Sequence, residues 1–363
     1  MSLKYTLAKH TKTITAVAIS PDGKFLISGA NDARAVVWNL QTGEMQQVIN
    51  CAFHGPISAI KWIVTNMAFV HDPFVVGCAD GSLQLYEKST ETSKFTLTSI
   101  TDAHAGAVED FDWEPRHQRL ASCGHGSPQV WSLQGQRTFT ALVQSPPRHP
   151  FIARTVKFVD DGSNLLVCYL ESHQIECFSV EPWTLKWSKT IGTRIGYATV
   201  DGDHLFVSNL VNGIDTYKIP TMERVHSIPH TILTNRPLQL SVTAKGAWLV
   251  SGGDDGNARI YDGVSGRFIE HLHHGEPNTL VQVVDSYQDQ HQCIIATAST
   301  SAAPFSVKLW VQHTRLAEET TNGSKSKSTM SWWLRAQIFG MVIISYVAIN
   351  SLNIHWLWHV VLK

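Results

Sequence analysis

The chain has 363 residues, 43% of them hydrophobic, enough for one large β domain or two ordinary domains. Its 29 Lys and Arg balance 30 Asp and Glu, so a net charge of −1 gives no long-range attraction to nucleic acid, and a nucleic-acid partner is not expected. Six cysteines, Cys51, Cys78, Cys123, Cys168, Cys177 and Cys293, have no C-x-x-C spacing and sit in apolar stretches; they read as the buried, reduced thiols of a cytosolic protein.

The first residues, MSLKYTLAKHTK, lack the apolar core of a signal peptide, so no route to the secretory lumen is expected. Within them LKYTL alternates apolar and polar residues ahead of any repeat. A histidine then recurs at His10, His54, His104 and His149 and again at His230 and His274, a spacing of about 45 residues that marks a repeat architecture. Alternating runs follow each histidine: TAVAIS, SAIKWI, VEDFDW, TVKFVD, LQLSVT and LVQVVD, the pattern of half-buried strands. Second strands follow (FLISGAND, FVVGCADG, RLASCGHG, NLLVCYLES, WLVSGGDDG, CIIATAST), then third strands (AVVWNL, LQLYEK, PQVWSL, QIECFSV, ARIYDG, VKLWVQ). The long gap between His149 and His230 holds one more unit, YATVDGDHLFVSNLVNGIDTYKI, making about seven.

Over roughly residues 3–313 these units resemble the WD-repeat β-propeller family. That resemblance implies four-stranded blades in which a histidine before the first strand, a Ser or Thr in the second, an Asp in the next turn and a Trp in the third form a hydrogen-bonded tetrad. The first unit matches at His10, Ser28, Asp32 and Trp38. The second has His54 and Asp80 but Val76 and Tyr86 in place of Ser and Trp; the third keeps His104, Ser122 and Trp131 without the Asp. The fourth keeps His149, the sixth His230, Ser251 and Asp255 with Tyr261 for Trp, and the last His274 and Trp310. The expected fold is all-β: a seven-bladed propeller, residues 1–313, whose last unit is one strand short and is closed by the N-terminal strand, since a ring of small sheets leaves no exposed end sheet.

Residues 314–331 are polar and rich in Ser, Thr and Lys, the composition of a flexible linker. From Ile338 to Leu362 there is no Asp, Glu, Lys or Arg, a length that suits a single membrane-spanning helix over 332–363. Its apolar body includes Ile338, Phe339, Val342, Ile343, Ile344, Val347 and Ile349. Trp332 and Trp333 at one end and Trp356 and Trp358 at the other sit where interfacial belts would fall, about 36 Å apart from Trp332 to Trp356 as a helix, and Arg335 lies on the propeller side. A lipid bilayer is thus an expected partner, with the propeller facing the cytosol from the endoplasmic reticulum or the mitochondrial outer membrane. A helix docked on protein, on an otherwise soluble chain, is the alternative.

Catalytic chemistry finds little support. His271, His273 and His274 lack a Cys or carboxylate cluster at metal spacing, and the pairs Asp201/Asp203 and Asp254/Asp255 lie in turn sequences. No nucleophile elbow, phosphate loop or dinucleotide fingerprint occurs, so no catalytic residue, cofactor or metal is assigned, and no small-molecule substrate is evident. Asn322-Gly323-Ser324 fits a glycosylation acceptor but reads as a loop. The reading is a non-catalytic protein-interaction scaffold held on a membrane. A membrane-bound exchange factor for a small GTPase is a second alternative, on architecture alone. The long loops 64–73 and 144–150, together with Trp183 and Trp187, are candidate partner contacts, with surface insertion and outer-strand packing as their competing readings.

Overall fold

Each repeat unit folds as four antiparallel strands in sequence order in the computed structural model, which describes residues 1–65, 72–134, 137–142, 149–243, 246–301 and 303–313. Among the described residues there are seven such sheets. Blade 1 consists of Ile14–Ile19, Phe25–Ala30, Arg34–Asn39 and Met45–Asn50. The first strands of the seven blades, Ile14–Ile19, Ile57–Trp62, Val108–Glu114, Ala153–Val159, Tyr197–Asp201, Leu240–Val242 and Val281–Gln288, pack each against the next, and the seventh returns to the first. The ring is closed. The linker at 314–331 and the apolar segment at 332–363, with Trp332, Trp333, Arg335, Ile338, Phe339, Val342, Ile343, Ile344, Val347, Ile349, Trp356 and Trp358, lie outside the described residues. So do residues 66–71 and 144–148 of the two long loops. Among the described residues no helix is long and apolar enough to cross a membrane.

The strand pattern follows from where each strand sits in its blade. Second strands such as FLISGA, FVVGC and NLLVCY are buried along their whole length, because both faces of the sheet meet a neighbouring blade. Fourth strands such as MQQVIN and TLKWSKT lie at the rim and are largely exposed. The core is therefore divided among the blade interfaces. Ile27 and Val37 of blade 1 share one apolar cluster with Ile60 and Val76 of blade 2, and Cys168 and Ile175 of blade 4 share another with Leu205 and Val207 of blade 5.

Polar links reinforce these interfaces at the inner wall. The Asp285 carboxylate accepts the Ile19 amide at 2.8 Å and Asp112 accepts that of Phe158 at 2.8 Å. The indoles of Trp62 and Trp113 donate to the carbonyls of Ala18 at 3.0 Å and Val64 at 2.8 Å. One turn requires glycine outright: Gly81 has φ +91°, and a β-carbon there would stand 1.9 Å from the His104 carbonyl oxygen of the next blade.

The expected closure is present. Ser2–Ala8 pairs antiparallel with Ser306–His313, Ser2 facing Val311 and Leu7 facing Val307, and so becomes the outer strand of blade 7. The Met1 ammonium meets the Glu270 carboxylate of blade 6 at 2.7 Å. Leu7, only 3% exposed, packs in the cluster that joins Val17 of blade 1 to Val307 and Leu309 of blade 7. Leu7→Ala is expected to cost about 2–5 kcal/mol in urea unfolding followed by tryptophan fluorescence. Leu3→Ala, on the same strand but 46% exposed, should cost no more than about 0.5 kcal/mol. Equal losses would show that the strand holds the ring by its backbone alone.

Candidate functional site

The turns joining each fourth strand to the next blade, and each second strand to its third, fall on one face of the ring, and the recurring histidines lie there. In blade 1, Trp38 Nε1 donates to Ser28 Oγ at 2.9 Å and His10 Nε2 meets the same oxygen at 2.8 Å. His10 Nδ1 lies 3.2 Å from both Asp32 oxygens, and Asp32 also accepts the amides of Thr11 at 2.9 Å and Arg34 at 3.2 Å. Burial lowers the His10 pKa while Asp32 pulls it back, so the ring is neutral: Nδ1–H faces the carboxylate and Nε2 accepts the serine hydroxyl.

Blade 3 repeats three members of this arrangement. His104 Nε2 is 2.9 Å and Trp131 Nε1 2.8 Å from Ser122 Oγ, but no carboxylate backs the ring, and burial pushes His104 down to about 4. Blade 7 does the same with a threonine. His274 Nδ1 is 2.7 Å and Trp310 Nε1 3.0 Å from Thr297 Oγ1. Sequence reading missed Thr297 because its separation from the tryptophan is 13 residues, against 10 for Ser28 and 9 for Ser122; the longer turn hid the match.

The remaining blades depart. In blade 2, Val76 and Tyr86 take the serine and tryptophan positions, and His54 Nδ1 instead meets Asp80 Oδ2 at 2.7 Å with Ser82 bridging to Asp80 at 2.7 Å. In blade 4, His149 joins no tetrad: Val167 is buried in the serine position, and the imidazole stacks on Tyr169 with ring centres 3.7 Å apart. In blade 6, His230, Ser251 and Asp255 are not brought together. Ser251 Oγ donates to the Gly252 carbonyl at 2.8 Å, Asp255 is drawn to Arg259 Nη2 at 2.6 Å, and His230 keeps only a 3.5 Å contact with the Tyr261 hydroxyl. An arginine four residues away offers that carboxylate a stronger partner than a neutral imidazole. Among the metal candidates, His273 Nδ1 meets Asn257 at 3.2 Å, His271 packs on Phe268, and His274 is held by Thr297. Trp183 stacks on Phe178 at 4.8 Å and Trp187 packs beside the blade 4–5 cluster, so both are half-buried packing residues.

At the axis, a cavity of about 520 Å³ is walled by the first strands. Several of its charges pair with one another. Lys157 Nζ meets Asp110 Oδ2 at 2.5 Å, Tyr197 donates to Asp110 Oδ1 at 3.4 Å, and Lys61 meets Asp112 at 3.2 Å. Burial pushes the Asp110 and Asp285 carboxyls up; for Asp110 the neighbouring Lys157 opposes that shift, and for Asp285 the amide of Ile19 does. These groups brace the wall.

A sequence profile of the WD domain, G-beta repeat, matches residues 1–39 and 224–262, which include blade 1 up to Trp38 and most of blade 6. The chain is 27% identical over 192 residues to human angio-associated migratory cell protein, covering 51% of this chain and 38% of that protein. It is 21% identical over 228 residues to Pre-mRNA-processing factor 19 homolog 2 of Arabidopsis thaliana, 61% of this chain and 41% of that one. With a component of mouse chromatin assembly factor 1 the figures are 28% over 131 residues, 32% of this chain and 22% of that one. The chain thus spans less than half the length of these relatives.

Burial also pushes His274 down to about 4, below the ordinary 6.5 of a free imidazole. The unfolded chain therefore binds more protons than the folded one between these values, so stability is whole above pH 6.5 and falls as pH drops toward 4. His104 and His274 should each contribute a loss of up to about 1.4 kcal/mol per pH unit in that window, read from urea midpoints across it. Trp38→Phe, which removes the donor to Ser28, should cost about 1–3 kcal/mol at neutral pH in the same assay.

Proposed function

We propose that this chain is a non-catalytic protein-interaction scaffold that receives partners on the histidine-bearing face, and that residues 332–363 tether it to an intracellular membrane with the propeller in the cytosol. The observation that carries the first part is the placement of exposed apolar side chains. Phe53, in the turn from blade 1 to blade 2, is fully exposed; Val211 and Leu233 on the same face are 62% and 56% exposed, and Phe151 is 39% exposed. Folding gains nothing from a bare phenyl ring, whereas a partner surface does. Relatives named for pre-mRNA processing and chromatin assembly fit a platform role in larger assemblies. The apolar run from Ile338 to Leu362 and its flanking tryptophans support the tether, which would raise the effective concentration of whatever the face binds.

Two measurements test this reading. Phe53→Asp should release the proteins that co-purify with the wild-type chain under mild cross-linking, while Val264→Asp, at an exposed position on the opposite face, should retain them. Retention in both variants would move the docking site elsewhere. For the tether, carbonate extraction of membranes is compared for the 363-residue chain and one ending at Thr329, each carrying a C-terminal glycosylation acceptor. A glycosylated longer chain in the pellet places the tether in the endoplasmic reticulum; an unglycosylated one in the pellet places it in mitochondria. Extraction of both chains would sink the tether and leave the segment as a protein-docking element.

A further inference from the structure

Where blade 2 gives up the serine and tryptophan of the tetrad, its interior holds two thiols in one polar network. Cys51, which follows the outer strand of blade 1, and Cys78, which ends the second strand of blade 2, both flank the Gln84 side chain: Cys51 Sγ is 3.6 Å from Oε1 and Cys78 Sγ is 3.5 Å from Nε2. The Tyr86 hydroxyl donates to the same Oε1 at 2.7 Å and lies 3.7 Å from Cys51 Sγ. The two sulfurs thus meet the two ends of one amide group. We infer that Cys51 and Cys78 are a dithiol–disulfide pair, a site of reversible oxidation by hydroperoxides that ties blade 1 to blade 2.

The surroundings divide the labour between the sulfurs. The hydrogen bond from Cys78 pulls the Cys51 thiol below its ordinary range against the cost of burial. Cys78, donating to it and fully buried, is held well above. Burial raises the other four: Cys168 and Cys177 to about 11, Cys293 to about 12, and Cys123 well above its ordinary value. Cys51 is therefore the sulfur that can attack as a thiolate. Cys51, itself 2% exposed, heads the turn that carries exposed Phe53 and partly exposed His54, whose amide donates to the Cys51 carbonyl at 2.9 Å.

The reaction balances with hydrogen peroxide as oxidant. The Cys51 thiolate attacks one peroxide oxygen, the O–O bond breaks, and hydroxide leaves, giving a sulfenic acid. Cys78 sulfur then attacks Cys51 sulfur; the S–S bond forms, the S–O bond breaks, and the departing hydroxide takes the Cys78 proton as water. The two thiols lose two electrons and two protons, and the peroxide becomes two waters. A small dithiol reverses the bond by exchange. Because the Gln84 network is built from the reduced sulfurs, oxidation also loosens what holds the turn under Phe53.

The test uses the purified 363-residue chain. After hydrogen peroxide and quenching, thiols are counted in denaturant and the chain is digested without reductant for mass spectrometry. The expected result is loss of two of six thiols, a single linkage between the peptides bearing Cys51 and Cys78, and full recovery with dithiothreitol. In Cys78→Ser, whose hydroxyl keeps a donor beside Cys51, dimedone should trap a sulfenic acid at Cys51. Six intact thiols, linkage between other cysteines, or loss without a linkage in the wild-type chain would overturn the proposal. Because that readout is made on the wild-type chain, it stands even where a variant fails to fold.

Discussion

Antiparallel pairing between Ser2–Ala8 and Ser306–His313 joins the two ends of the propeller across some 300 residues of intervening chain, and a toroid of separate sheets has no other covalently remote joint of this kind. Each blade buries its faces only against its neighbours, so an open ring would leave two sheets bare. The pairing removes both at once. It also explains why residues so near the N-terminus have a buried member: Leu7 faces Val307 and reaches the cluster shared by blades 7 and 1. The Asp285 to Ile19 hydrogen bond crosses the same seam at the inner wall, so the joint is fastened at rim and axis.

With the ring closed by backbone pairing and apolar contact, the buried polar tetrads become optional blade by blade. A hydroxyl that receives an indole N–H and an imidazole is found in blades 1, 3 and 7, through Ser28, Ser122 and Thr297. Elsewhere the same positions hold Val76 with Tyr86, Val167 with Phe178, and Val207 with Tyr217, so the hydroxyl that joins indole to imidazole is absent there. Either solution is stable, because the replacement removes the indole donor and its hydroxyl acceptor together. A half-replaced set is what costs. Blade 6 is such a case: Tyr261 leaves Ser251 to a local carbonyl, and buried His230 Nε2 has no partner.

The architecture was legible in the sequence because each blade repeats the same alternation of buried and exposed positions, and because LKYTL lay outside every unit while the last unit lacked a strand. Side-chain networks were legible only where spacing was kept. His10, Ser28, Asp32 and Trp38 meet as their order suggests, yet Thr297 escaped through a longer turn, and Asp255 was claimed by Arg259, a residue whose reach no spacing rule encodes. The Cys51 and Cys78 pairing lies further from view still. The two belong to different blades, and only the stacking of one sheet on the next brings their sulfurs to the same glutamine.

The histidines have a consequence for recognition beyond stability. Each sits at the base of a turn leading into the next blade, and a ring locked between a buried hydroxyl and a carboxylate, as His10 is between Ser28 and Asp32, fixes that turn before any partner arrives. Association then pays less for ordering loops. The apolar side chains on this face are accordingly carried by pre-set turns: Phe53 is followed directly by His54, whose imidazole is pinned to Asp80, and Phe151 accompanies the stacked His149. Rigid turns bearing exposed phenyl rings are the combination from which a docking surface gains most, since the contact area is offered without the loop entropy that usually offsets it. The opposite face exposes Val264 on the turn after Asp262, which is tied to Ser265 by local bonds and bears none of the recurring histidines. The asymmetry between the faces is thus built from the same residues that mark the repeat.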